Sequence, residues 1–259
     1  MTIRFKNPPI NELVIAAYFN PPLFTLRSEH VGVFWSRIRD QFVTVEQQQP
    51  VGGPQAMVQT ADEAFPMPRY WFVSEDESHL IQVQKNAFIL NWRRRDTRYP
   101  YFAENLKPAF DRYFGEFEEF AKAEAGADDL KFDLCELNYV NVVEPGEYWQ
   151  GPHDTASVIP SFSVPDSGVA HSDTPAFKCN YVYTLDSDLQ LHIVIRTATK
   201  AEEPDTPVLI FDIRGTGRLN GVSKSIADRW YMRAHDAITE CFLGLTSKEI
   251  RDKFWLPSE

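Results

Sequence analysis

The sequence predicts an α+β fold: a large curved antiparallel sheet of about eight strands, with long helices packed on one face. Three observations predict it. Most apolar runs are short and rich in β-branched and aromatic residues, as in RYWFVS at 69–74 and LQLHIVIRTAT at 189–199. A few longer stretches switch to a 3.6-residue period, clearest where Phe102, Leu106, Phe110, Phe114, Phe117 and Phe120 fall on one stripe. The order of elements also recurs: each half reads strand, connection, three strands, helix. This sets pseudo-halves at about 1–126 and 127–259 within a single domain, 1–259, because no linker separates two folding units.

The first strand is NELVIAAYF, entered from Pro8-Pro9, whose fixed φ suits an extended approach. After the turn-forming Asn20-Pro21-Pro22, Val31, Phe34, Trp35, Ile38 and Phe42 recur at helical spacing, with Ser28 as N-cap and Glu29 in the first turn. Residues 46–68, with a glutamine run, Gly52-Gly53 and four prolines, read as a loop. RYWFVS and HLIQVQ are strands, and Lys85-Asn86 links the second to AFILNWR as a hairpin. Pro108 falls in the first turn of the phenylalanine-striped helix or kinks it, and Gly126 ends that helix.

In the second half FDLCELNYVNVV, AFKCNYVYTL, LQLHIVIRTAT and PVLIFDIRGT are strands, separated after the first by a Pro/Ser-rich loop at about 144–175. Ser225 caps a helix carrying Ile226, Trp230, Ala234, Ile238 and Phe242, and Thr246 with Glu249 reads as a capping box for a short last helix.

Composition narrows the function classes. At 43% hydrophobic and 24% charged the chain is an ordinary globular one. The longest apolar run, Leu13 to Phe19, is far below the roughly 20 residues of a membrane helix, and MTIRFKNPP has no apolar signal-peptide core, so a cytoplasmic protein with no membrane partner is expected. Cys135, Cys179 and Cys241 stand far apart and are odd in number, which suggests neither a disulfide framework nor a thiolate zinc site. A net charge of −11 argues against duplex nucleic acid as a partner.

Four motifs in order carry a resemblance. FKNPPINELVIAAYF at the start, QVQKNAFILNWRR followed by YPYF, LNYVNVV at 137–143 and AHDAITECFLGLTSKEIRDKFW near the end resemble a sporadically distributed bacterial family of uncharacterised proteins of about this length. The resemblance spans nearly the whole chain but implies no activity, cofactor or catalytic residue. Patchy occurrence would suit an accessory gene, for example in phage defence or toxin neutralisation. The Pro/Ser-rich segment is longer than the family pattern leads one to expect.

The candidate site is the segment after the middle hairpin. Arg93, Arg94, Arg95 and Arg98, offset by Asp96, present guanidinium forks that hold carboxylates and phosphates, and Trp92, Tyr99 and Tyr101 offer rings for stacking. Internal pairing with the acidic helix at 101–126, which has six acids against three bases, is the competing explanation. Strand alternation puts Asn91 and Arg93 on one face, and Tyr139 and Asn141 likewise share a face of their own strand. If the two strands are close, those four would line a polar pocket; otherwise they are buried hydrogen-bonding groups that fix register.

Other motifs carry less. In RGTGRLNG at 214–221 the third glycine is one place late for a dinucleotide fingerprint, and the segment reads as a flexible turn. His153-Asp154 and His235-Asp236 resemble metal-site dipeptides but lack outlying ligands, so no metal and no cofactor is expected, and His192 reads as structural. No Gly-x-Ser-x-Gly, phosphate-loop lysine or His-Glu-x-x-His occurs. The sequence therefore predicts a non-catalytic binding protein with another protein as partner. The alternatives are a pocket on the sheet for a small anionic or nucleotide-like ligand and, with less support, stacking of single-stranded nucleic acid.

Overall fold

In the computed structural model of the chain, the described residues are 4–51, 59–60, 63, 65–163, 176–200 and 202–258. Among them the fold is α+β around an open, nine-stranded antiparallel sheet. Its strands are β2 (Ile10–Phe19), β3 (Phe42–Gln48), β4 (Arg69–Ser74), β5 (His79–Gln84), β6 (Ala87–Arg93), β7 (Phe132–Val143), β8 (Lys178–Asp186), β9 (Leu189–Thr199) and β10 (Pro207–Val222), in the order β3-β4-β5-β6-β2-β7-β10-β9-β8. A two-stranded pair, β1 (Arg4–Phe5) with β11 (Pro257–Ser258), stands apart from it. In each half the first strand neighbours the last strand of the following three, β2 beside β6 and β7 beside β10. No helix of the described residues is long and apolar enough to cross a membrane.

The chain divides into two compact units, residues 13–137 with 216–232, and residues 1–12 with 138–215 and 233–259. In the first unit, α1 (Ser28–Ile38) and α2 (Lys107–Glu124) lie on one face of the strands. Alternation explains why. Phe19, Phe72 and Phe88 point to the helix side, where Phe88 meets Phe114 and Phe117 at 5.6 and 5.3 Å and Phe72 meets Phe34 at 5.4 Å. Each such buried ring contributes on the order of 2 kcal/mol of transfer free energy. Pro108 sits in the first turn of α2, preceded by a π turn at Phe102–Leu106, and the helix ends at Gly126, whose φ of 59° lets Ala127 N–H reach back to the Ala121 carbonyl at 3.0 Å.

Local expectations fail in five places, four of them at element ends. Helix α1 stops at Ile38, and Phe42, which continues its spacing, begins strand β3; the ring is still buried, against Tyr113 at 5.1 Å. Much of the expected loop at 46–68 is thereby shortened at its start, and Gly52-Gly53 lie outside the described residues. Ser28 is the first helical residue and not the cap; Arg27 stands there, its N–H donating to His30 Nδ1 at 3.3 Å. Helix α4 (Lys224–Leu245) likewise starts one residue before Ser225, with the Ser223 carbonyl accepting from Ile226 and Ala227. Thr246 does not cap α5 (Lys248–Ile250), because its hydroxyl donates back to the Phe242 carbonyl at 2.7 Å, and Glu249 instead accepts from Lys253.

In the second unit the C-terminal part of α4 covers one face of its strands through Phe242, which stacks on Phe211 at 6.0 Å and lies 5.3 Å from Trp255. The segment 214–221 is not a turn but part of β10. At Gly215 a Cβ would stand 3.4 Å from Ala234 Cβ and 3.6 Å from Ile238 Cδ1, ordinary contact distances, so helix α4 packs directly over this strand position. The Pro/Ser-rich loop contains a single turn of 3₁₀ helix at Pro152–Asp154 and a short α3 (Thr155–Val158), and 164–175 lie outside the described residues.

Candidate functional site

In the first unit, the face of β4, β5 and β6 turned away from α1 and α2 holds a polar strip. Registration builds it: Trp71 stands opposite Gln82, and Gln82 opposite Ile89, so Arg69, Trp71, Gln82, Ile89 and Asn91 share one face. Gln82 is the hub. Its Oε1 accepts from Arg69 Nη1 at 2.5 Å and from Trp71 Nε1 at 3.1 Å, and its Nε2 donates to Asn91 Oδ1 at 2.6 Å. Both amides are nearly sealed, Gln82 at 6% and Asn91 at 4% exposure, so each hydrogen bond here replaces one that water no longer supplies.

Arg69 is the unusual member. It lies over the Trp71 ring, 5.3 Å from its centroid, and makes no ion pair among the described residues. Its Nε is buried without a hydrogen-bond partner. Burial holds the guanidinium below its ordinary value, an effect only partly offset by Tyr18. The acid on the facing edge of β3, Glu46, stands opposite Trp71 and accepts from Gln48 Nε2 at 3.3 Å. The group remains charged and its donors outnumber the acceptors around it.

The strip is bordered by the chain before β4. Val51 packs against Ala16, Ala87 and Ile89, and Gln84 clamps it by accepting from the Val51 N–H at 3.0 Å and donating to its carbonyl at 2.9 Å. Lys85, 2% exposed, donates to both oxygens of Glu63 at 2.7 and 2.6 Å.

The expected arginine segment follows directly from β6. Trp92 faces the helix side at 1% exposure, with Tyr99 edge-on at 5.4 Å and Tyr101 a further 5.5 Å beyond Tyr99. The segment is tied to the β4–β5 turn: Arg93 Nε donates to the Glu77 carbonyl at 3.2 Å, and Arg95 Nε lies 3.4 Å from Glu77 Oε2. That turn is itself organised by Asp76, which accepts from the Ser74 and Ser78 hydroxyls at 2.7 Å and the Ser78 N–H at 3.0 Å; the Ser74 bond leads the effects that hold its carboxyl down at about 2. Arg94 is half-buried, and Arg98 is exposed.

Tyr139 and Asn141 belong to the second unit, on the α4 side of β7. The Tyr139 hydroxyl lies 2.8 Å from His235 Nδ1, whose ring burial holds below its ordinary value. Asn141 Nδ2 donates to the Phe211 carbonyl at 3.1 Å, and its Oδ1 is buried without a partner. Asn91 and Arg93 lie in the first unit, so the expected four-residue grouping falls across two bodies and each pair stands with its own neighbours.

Sequence reasoning missed Arg69, Trp71 and Gln82. Their period-2 positions were readable, but the cross-strand register that brings them to Asn91 is not local in sequence. No cluster of histidine, cysteine and carboxylate groups suited to a metal ion occurs among the described residues. No family model matches the chain, and neither a curated protein nor a solved structure matches it.

Proposed function

We propose that the chain is a non-catalytic binding protein that holds a small organic anion, a carboxylate or nucleotide-like group, on the strip formed by Arg69, Trp71, Gln82 and Asn91. The supporting observation is Arg69: a half-buried guanidinium with one buried N–H unpaired and, among the described residues, a neutral amide and a ring face as its partners. A fork of this kind gains most from a planar oxyanion that accepts two N–H bonds. The buried thiols favour binding over nucleophilic chemistry, since burial pushes Cys135 up to about 12 and Cys241 up to about 11, leaving neither as thiolate. A thermal-shift screen of nucleotides and di- and tricarboxylates tests the reading. A shift in the wild type that Arg69→Met abolishes supports it, and no shift with any of these anions ends it.

A second reading, recognition of another protein, is favoured by β8. This edge strand exposes Tyr181 at 45%, Val182 at 58%, Tyr183 at 53% and Leu185 at 51%, apolar surface of the kind to which an extended partner adds. Exposed Arg98 and Arg95 offer a further charged contact. Val182→Lys would abolish association with such a partner, and an Arg93→Ala, Arg94→Ala, Arg95→Ala variant would weaken it. Retention of the partner by both variants would remove this reading.

A further inference from the structure

A second charged face lies in the other unit and is independent of the Arg69 strip. On β9, Leu189, Leu191, Ile193 and Ile195 are buried, so His192, Val194 and Arg196 project to the opposite side. On β10, Leu209, Phe211 and Ile213 are buried, and Asp212 and Arg214 alternate with them in the same way. Phe211 marks the α4 side by stacking on Phe242, so Asp212 and Arg214 occupy the face turned away from that helix.

Three features of this face point to a ligand. Arg196 and Arg214 are both half-buried, and neither forms an ion pair or side-chain hydrogen bond among the described residues. Asp212 lies within the electrostatic reach of both, yet it contacts neither, and its Oδ1 is buried without any hydrogen-bond partner. Burial raises the Asp212 carboxyl above its ordinary value against the pull of Arg196, Arg214 and Lys178, with Glu12 adding to the rise. Lys178 stands opposite Arg196 across the β8–β9 pair, adding a third cation at the rim, and Arg214 also reaches His192 and holds it down after burial has done so. If the arrangement served stability alone, Asp212 would be expected to close onto one guanidinium, as the paired acids of the other unit do onto their lysines.

The combination is selective in chemical terms. Two guanidinium forks suit an oxyanion, but an ionised carboxylate on the same face repels one that is fully deprotonated. The conflict disappears for an oxyanion that carries its own O–H, because Asp212 then accepts that hydrogen bond while the arginines take the remaining oxygens. We propose that Arg196, Asp212 and Arg214 form a binding site for hydrogen phosphate, with Asp212 rejecting oxyanions that lack a proton.

Inorganic phosphate and sulfate separate this from plain charge attraction, since only phosphate keeps an O–H at neutral pH. Calorimetric titration of the full chain is expected to show phosphate binding at least about tenfold tighter than sulfate. Arg196→Gln and Arg214→Gln each weaken phosphate by about tenfold or more, and Asp212→Asn narrows the phosphate–sulfate gap. The wild-type comparison needs no variant, and Arg214→Lys, which keeps the charge and removes the fork, is the conservative control for folding. Equal binding of the two anions, no phosphate binding in the millimolar range, or phosphate affinity kept in both arginine variants would overturn the site.

Discussion

Lys107 and Arg69 are cations of the same unit, and they are treated in opposite ways. Lys107, 8% exposed at its side chain, donates to both oxygens of Asp111 at 2.8 and 2.7 Å and to Asp228 Oδ1 at 2.8 Å, and Lys224 joins the same two acids. Lys85 is paired with Glu63. Arg69 has an amide oxygen and an indole. Where this chain buries a cation to hold elements together, it supplies carboxylates to offset desolvation. At Arg69 none forms an ion pair among the described residues, so under the proposed function the charge gains from an anion brought from outside, whereas the Lys107 cluster is structural.

Removing the acids should give the largest effect. Asp111→Asn with Asp228→Asn leaves Lys107 uncompensated and should cost about 3 kcal/mol in urea unfolding. A loss below about 1 kcal/mol would mean the cluster is no better compensated than Arg69. Acid titration sharpens the same point. Burial alone would raise Asp228, but the hydrogen bonds from Lys107 and Lys224 overcome it and lower the carboxyl, and Glu63 is lowered in the same way by Lys85 and Thr60. A depressed folded-state value contributes stability that is present above the unfolded value of about 4 and lost as pH falls through the folded one. The wild type should therefore lose stability below about pH 4, with a shallower slope in the double variant.

Gln82→Leu should rank next. It strips Arg69, Trp71 and Asn91 of a shared partner at once and should cost about 2 kcal/mol. A neutral result would show that the strip is not a connected network. The histidines should give a smaller effect: burial holds His79 and His235 below their ordinary value, so the unfolded chain binds their protons more readily. Stability should decline as pH falls from about 6.5 toward their folded-state values, and His79→Phe should flatten that decline.

The fold was legible wherever one face is buried. The phenylalanine stripe of 102–120 and the alternation of LQLHIVIRTAT each record a single buried side, so helix and strand followed from period alone. Strand β3 escaped because it is exposed along nearly its whole length, leaving no alternation to read, while Phe42 fell by chance at helical spacing after Ile38. Gly215 looked like a turn residue because the helix that approaches it is distant in sequence. The sites were half legible. Alternation puts Asn91 on a polar face, where it meets Gln82, and Asp212 with Arg214 form an i, i+2 pair, but Arg69 opens its strand and passes for a boundary charge. Which polar residues meet is decided by register, and register is written across strands.

The most direct test compares the unfolding free energy of the wild type and Arg69→Met with and without the organic anion that binds best in the screen. Without it, Arg69→Met should be no less stable than the wild type, because a methionine fits the half-buried stem and carries no charge to desolvate. With the anion at about a hundred times its Kd, the wild type should gain about 2.7 kcal/mol and the variant nothing. A variant that loses stability in the absence of anion, beside a wild type that gains none in its presence, would show Arg69 to be a structural cation like Lys107 and contradict the account.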